Sequence, residues 1–322
     1  MNRPLGVILA AGRGKRMGPL GESYPKALLP VANEPLIAHH IALLRDLEVR
    51  DIYIIVGHRA VDLAQALGSG ERYQVNLHYV EQAAPLGIAH ALGQLRSTIR
   101  EPFLLVLGDY YFTVTNPERL LRRLREGQSA IAAKHESSRE LISEACELYA
   151  DADGRLFKIV EKPAAPRGDL KGCGFYAFQP EIFDAVSRTP RTALRDEYEL
   201  SVSLELYIES GNALYAEEVI NWDCNLTRPE DLLECNLQYL SQLNKKELIA
   251  ADAQIDPATR LDRVVAGGRC RIERVFSLAD VVVFPGAKLL DSGAIRRAIV
   301  TPQHLYILAQ SIVADKRAAS AV

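Results

Sequence analysis

The chain has 322 residues, 48% of them hydrophobic and 25% charged, with a net charge of −3. That is the composition of a globular protein rather than a disordered or fibrous one, and its charge balance gives a nucleic-acid partner no support. Its five cysteines form no CxxC or Cys/His spacing, which argues against a zinc site and a secreted disulfide framework and fits a reducing cytoplasm.

Taken in order, short apolar runs alternate with amphipathic stretches. Strands are expected over Leu5–Leu9, Asp51–Val56, Val75–Val80 and Phe103–Leu107, with helices over Pro35–Leu47, Val61–Leu67 and Ile88–Thr98 between them. Strands apolar throughout belong to a parallel sheet covered on both faces, so the fold class is α/β, a doubly wound and mainly parallel sheet. The pattern then becomes strand-rich, with Ala130–Lys134, Ala145–Tyr149, Leu156–Val160 and Gly174–Phe178, before helices return at Pro180–Val186 and Glu199–Ser210. A first domain is expected over residues 1–243, a polar linker over 244–256 and a small left-handed β-helix-like domain over 257–322. The last rests on apolar residues six apart, Ile272, Leu278, Phe284 and Leu290, the spacing at which short strands stack from coil to coil. Nowhere is there an apolar run of about 18 residues, so no membrane partner is expected.

The first strand runs into Leu9, Ala10, Ala11, Gly12, Arg13, Gly14, Lys15, Arg16 and, further on, Tyr24, Pro25, Lys26. Small residues let backbone N–H groups approach a phosphate, and Arg16 and Lys26 supply the cations a triphosphate needs. A dinucleotide-binding loop is the commonest competitor. Here Gly12, Gly14 and Gly18 give GxGxxxG instead of GxGxxG, and the second strand ends without a ribose-binding carboxylate. A P-loop is excluded because no GxxxxGK[ST] occurs.

The stretch LAAGRGKRMGPLGESYPKALLPVANEPLI resembles the signature of the sugar-phosphate nucleotidyltransferases, and within that family the pattern is closest to glucose-1-phosphate thymidylyl- and uridylyltransferases. The resemblance implies a fold of the nucleotide-diphospho-sugar transferase type. It also implies nucleotide contacts from Leu9, Ala10, Ala11, Gly12 and Gly14, and roles for Arg16 and Lys26 at the phosphates.

Further along, Gln82 and Gly87 in EQAAPLGIAHAL suit recognition of a base: a glutamine offers an acceptor and donors in one plane, matching the imide edge of uracil or thymine. Asp109 follows an apolar strand and suits magnesium (Mg2+), which takes one or two carboxylates together with phosphate oxygens and water. Asp223 in NWDCNLTRPEDLL resembles the second metal ligand of the family. Two extra residues separate it from the helix start, leaving Asn225 as the alternative. In KIVEKP the resemblance assigns Glu161 to sugar hydroxyls and Lys162 to the sugar phosphate, and Gly174 is a further candidate sugar contact. The family's aromatic-glycine pair at the sugar is here Ala145–Cys146, which leaves the sugar open.

These readings imply an enzyme joining a nucleoside triphosphate to a sugar 1-phosphate, with dTTP or UTP and glucose 1-phosphate favoured. Guanylyl transfer to mannose 1-phosphate is the nearest rival, and a nucleotide-sugar-binding regulator without turnover is the alternative of another class. A tail acyltransferase is disfavoured by the tail's length. Symmetric homo-oligomers are the default for such enzymes.

Overall fold

The computed structural model describes residues 3–193 and 195–309. It divides into two compact units. The first holds the residues up to Arg13, Pro25–Ala27 and Ile37–Asp223; the second holds Gly14–Tyr24, Leu28–Leu36 and the chain from Cys224 onward.

The first unit is built on a nine-stranded mixed sheet. Leu5–Ala10, Asp51–Val56, Asn76–Glu81 and Phe103–Leu107 are mutually parallel, with Leu5–Ala10 flanked by Asp51–Val56 on one side and Phe103–Leu107 on the other. The chain therefore steps outward from its first strand and returns to the opposite side of it. Such a reversal opens a crevice beyond the strand carboxyl ends. The Phe103–Leu107 strand is buried throughout, as its unbroken apolar run requires. Leu170–Phe178 then pairs antiparallel with Phe103–Leu107 and carries Ser129–His135, Cys146–Ala150 and Leu156–Glu161 into the same sheet. The expected helix over Ile88–Thr98 closes at Gly93 and continues as turns, since Gly93 and Gln94 interrupt its apolar stripe. No described helix is long and apolar enough to cross a membrane.

In the second unit, parallel strands stack in coils seventeen residues apart. Glu247 lies beside Val264, Val264 beside Val281 and Val281 beside Ala298. Left-handed corner residues repeat at the same interval, in the columns Arg263/Asp280/Arg297, Arg274/Asp291 and Arg269/Gly286. Three corner columns give each coil three sides. The left-handed conformation costs a residue with a Cβ roughly 1–2 kcal/mol. Two of the columns carry ion pairs between stacked corners, Arg263 with Asp280 and Arg274 with Asp291.

The structure departs from the expectations at three points here. The segment 244–256 is not a linker: Glu247–Ile249 and Gln254–Ile255 are strands, in register with Val264–Ala266 and Arg271–Ile272. It forms the first coil, its polar composition offset by Ile249, Ala253 and Ile255, which pack on the coil core. Leu290, moreover, is exposed, and Leu289 takes the inward place beside Ile272. The division at Cys224 also differs from the expected boundary near residue 243, because helix Pro229–Gln242 belongs with the coils.

Candidate functional site

The site is assembled at the carboxyl end of the first strand. Both neighbouring strands end in glycine there. A Cβ on Gly57 would stand 2.7 Å from the carbonyl oxygen of Ala11, and one on Gly108 would stand 2.7 Å from that of Leu9. The Gly108 N–H donates to this Leu9 carbonyl at 2.9 Å. Leu9, Ala10 and Ala11 are thus hemmed by glycine backbone on both sides, and side chains there would crowd them. Gly12 follows, exposed, with open space where its side chain would be.

Asp109, one residue past Gly108, accepts a hydrogen bond from Lys26 Nζ at 2.8 Å. Burial alone would raise its carboxyl, but the adjacent Lys26 ammonium outweighs that and holds it below the usual carboxylate range. The structure thus brings Lys26 and Asp109 together across 83 residues of chain. Behind them His40 is fully buried, its Nε2 2.6 Å from the Tyr110 carbonyl, and burial lowers its pKa to about 4. A neutral imidazole under the carboxylate adds no second cation.

Gln82 is 6% exposed. Its amide nitrogen donates to the Gly87 carbonyl at 3.3 Å and lies 2.8 Å from His90 Nδ1. With those hydrogens engaged inside the protein, the amide oxygen remains as the acceptor of this side chain. Gly87 takes φ +109 where the helix Ile88–Gly93 begins, and a Cβ there would meet the Tyr198 carbonyl oxygen at 2.5 Å. Both its backbone angle and its surroundings demand glycine. Gly87→Ala is therefore expected to lower unfolding free energy by about 2 kcal/mol or more, in the range of strained backbone positions. Urea titration of the two proteins checks this.

Glu161 and Lys162 end the strand Leu156–Glu161. Adjacent strand residues point to opposite faces, yet Lys162 adopts φ +42, and that twist brings its Nζ to 4.0 Å from Glu161 Oε1. Its N–H donates to the Ala145 carbonyl at 2.7 Å. Burial raises the Glu161 carboxyl above its ordinary value, against the pull of Lys162 and Arg195. Arg195 bridges Glu161 at 3.4 Å and Glu199 at 3.0 Å, adding a second cation at this carboxylate. It lies in a polar stretch with no motif of its own; only its spacing before Glu199 hinted at a partner. Gly174 sits at φ +70 in an irregularity of the strand Leu170–Phe178, where a Cβ would press on the Tyr110 ring.

Asp223 stands differently from the expectation for a metal ligand. It is 1% exposed, Lys171 Nζ lies 2.9 Å from its Oδ1 and 2.8 Å from its Oδ2, and Lys134 Nζ lies 3.1 Å from Oδ1. Glu136 joins the same cluster, 2.8 Å from Lys134 and 3.9 Å from Lys171. Two ammoniums already occupy the carboxylate, so a cation would have to displace them. Asn225 belongs to the second unit, and its buried Oδ1 has no hydrogen-bond partner among the described residues.

This cluster makes a pH-dependent contribution to stability. Burial would raise the carboxyls of Asp223 and Glu136, but the neighbouring lysines hold both below their ordinary values of 3.8 and 4.5. Lys171 moves oppositely: burial would lower it, but Asp223 raises it above 10.5. The carboxylates' contribution is present above about pH 4.5 and is lost as acid protonates them in the folded state, while that of Lys171 is present below 10.5 and is lost as alkali deprotonates it. Lys171→Met is expected to cost on the order of 3 kcal/mol at pH 7, as for breaking a buried ion pair. Denaturant unfolding should show the deficit, and should show it shrinking toward pH 3.

Arg16 and Gly14 belong to the second unit. Gly14 is left-handed and opens the short helix Lys15–Met17, on which Arg16 is exposed while Met17 and, beyond it, Leu20 are buried. The loop is thus fixed by its apolar residues and presents its cations to solvent.

The sequence profile described as "Nucleotidyl transferase" matches residues 5–242. The chain belongs to the nucleotidyl transferase family. It is 30% identical over 265 residues to the low-salt glycan biosynthesis nucleotidyltransferase Agl11 of Haloferax volcanii, covering 78% of this chain and 71% of that protein. It is 29% identical to the glucose-1-phosphate thymidylyltransferase of Streptomyces antibioticus, over 89% of this chain and 79% of the relative. Among solved structures, a putative glucose-1-phosphate thymidylyltransferase from Bacillus anthracis superposes with a TM-score of 0.64 at 25% identity, covering 73% of this chain and 94% of that one. In this nucleotidyl transferase the mixed sheet carries the first strand of the signature, Leu5–Ala10.

Proposed function

We propose that the chain transfers a nucleotidyl group from dTTP or UTP to a sugar 1-phosphate, glucose 1-phosphate foremost, releasing pyrophosphate and forming an NDP-sugar. A phosphate oxygen of the sugar 1-phosphate attacks the α-phosphorus in line, and the bond to the pyrophosphate oxygen breaks. Both reactants are anions, so the protein's work is to align them and to stabilise charge on the phosphates.

The observation that carries this reading is the Lys26–Asp109 pair at 2.8 Å, standing at the strand end where the sheet reverses. It places a cation and a carboxylate beside the glycine-walled backbone of Leu9–Ala11. Asp109 fits a magnesium ligand, since its side chain is 40% exposed and can still meet a cation. When bound, magnesium would neutralise and orient phosphate oxygens. Asp223 would join as a second ligand only on release of Lys134 and Lys171. Lys162, with Arg195, would hold the sugar phosphate, and Glu161 and Gly174 would meet the sugar.

Gln82 supports the choice of base. An amide oxygen acceptor pairs with an imide N–H, which thymine and uracil carry and cytosine and adenine lack. Guanine carries an equivalent N–H, so guanylyl transfer to mannose 1-phosphate is the second reading this same side chain favours. Pyrophosphate release with magnesium, across dTTP, UTP, GTP, CTP and ATP against glucose, N-acetylglucosamine, galactose and mannose 1-phosphates, separates the readings. Release with dTTP or UTP supports the proposal. Release with GTP alone moves it to guanylyl transfer, and silence in protein that still binds an NDP-sugar makes the chain a binding regulator.

A further inference from the structure

The residues proposed to act on the triphosphate are interleaved with segments that belong to the coils. Lys26 lies in the triplet Pro25–Ala27, and the segments on both sides of it, Gly14–Tyr24 and Leu28–Leu36, are members of the second unit. Arg16 is in the first of them.

Both segments are fastened to the coils at named points. The Tyr24 ring meets Phe284 edge-on, with centroids 5.2 Å apart, and its hydroxyl donates to Gln303 at 3.1 Å. Phe284 is 2% exposed and is fixed by its own N–H, which donates to Val300 at 2.8 Å. Burial and the nearby Tyr306 hydroxyl raise the pKa of Tyr24. On the other flank Ala32 and Asn33 both take left-handed angles, φ 54 and 67, at the tip of the short ladder Pro30–Val31 with Glu34–Pro35. A turn of that kind prefers glycine or asparagine at both places, so Ala32 is an unfavourable occupant that needs outside support. Asn33 donates to the carbonyls of Ala266 at 3.0 Å and Leu248 at 3.4 Å, both in coil strands. The fully buried Asn236 accepts from the Ala32 N–H at 2.8 Å and donates to the Pro30 carbonyl at 3.0 Å.

We propose that the coils are the positioning scaffold of the triphosphate loop: Phe284 and Gln303 through Tyr24, and the coil carbonyls through Asn33, fix the two segments that bracket Lys26 and carry Arg16. Phe284 and Asn33 are positioning residues, acting through Arg16 and Lys26. This assignment rests on the functional reading above, but the anchoring itself is a property of the second unit alone.

The experiment uses the full chain with Phe284→Ala, Tyr24→Ala and Tyr24→Phe. Amide hydrogen exchange over residues 14–24 and steady-state kinetics are measured well below the unfolding temperature. Expected are exchange at least tenfold faster over 14–24 and a KM for the nucleoside triphosphate raised about tenfold in Phe284→Ala and Tyr24→Ala. The KM for the sugar 1-phosphate should change less than twofold, and Tyr24→Phe, which keeps the ring contact but loses the hydrogen bond to Gln303, should fall between the parent and Tyr24→Ala in exchange and in the KM for the triphosphate. Tyr24→Ala leaves the buried coil core intact and decides the matter if Phe284→Ala does not fold. Unchanged exchange over 14–24 in the folded alanine variants overturns the proposal, as does a rise in both KM values together. If no substrate pair releases pyrophosphate, the functional reading fails, and the exchange result still decides whether the coils hold the loop.

Discussion

Asp109→Asn is expected to lower kcat by three orders of magnitude or more. The substitution keeps the shape of the side chain and a partner for Lys26 at 2.8 Å, but removes the charge at the carboxyl edge of the sheet. A thousandfold loss corresponds to about 4 kcal/mol of transition-state stabilisation, within the several kcal/mol that a bound cation supplies at a reacting phosphate. The held-down carboxyl of Asp109 makes the site competent at neutral pH without a proton to lose. Pyrophosphate release over a magnesium titration checks it. The variant should need far more magnesium and should not reach the parent rate at saturation; recovery of the full rate would remove Asp109 from the reacting centre.

Arg16→Ala and Lys162→Ala follow, each expected to cost on the order of 3 kcal/mol, as for the loss of one preorganised donor to developing charge. Their signatures differ. Arg16 lies on an exposed face of its loop and is assigned to the triphosphate, so its loss should appear in kcat and in the triphosphate's kcat/KM. Lys162 lies 4.0 Å from Glu161, so its loss should fall on the sugar 1-phosphate side. Initial rates with each substrate varied in turn separate the two, and a loss under tenfold in Arg16→Ala would end its assigned role.

The signals that mark the candidate site are legible in the sequence because its chemistry is local. The small residues of Leu9–Gly14, the cations Arg16 and Lys26, and a carboxylate after an apolar strand can all be seen without a fold. The parallel strands were equally open, since burial on both faces leaves unbroken apolar runs such as Phe103–Leu107. What the sequence hid depends on distant residues meeting. Lys134 and Lys171 are unremarkable lysines in the chain, yet both meet Asp223 in the interior and pair with its carboxylate. The glycines at 57 and 108 read as ordinary strand ends until the sheet sets both against the first strand. The first coil escaped because its strands are short and polar and gain their meaning from in-register neighbours seventeen residues on. The fastening of the signature loop to the coils likewise depends on partners more than 200 residues apart, as in Tyr24 with Gln303 and Asn33 with Ala266.

The most direct test of the central claim is pyrophosphate release by the parent chain and by Asp109→Asn, side by side, with magnesium, UTP or dTTP, and glucose 1-phosphate. The account predicts magnesium-dependent release by the parent, together with the matching NDP-glucose, and at least a thousandfold less from the variant. Equal rates in the two proteins, or no release from a folded parent with any nucleotide and sugar phosphate, would contradict it.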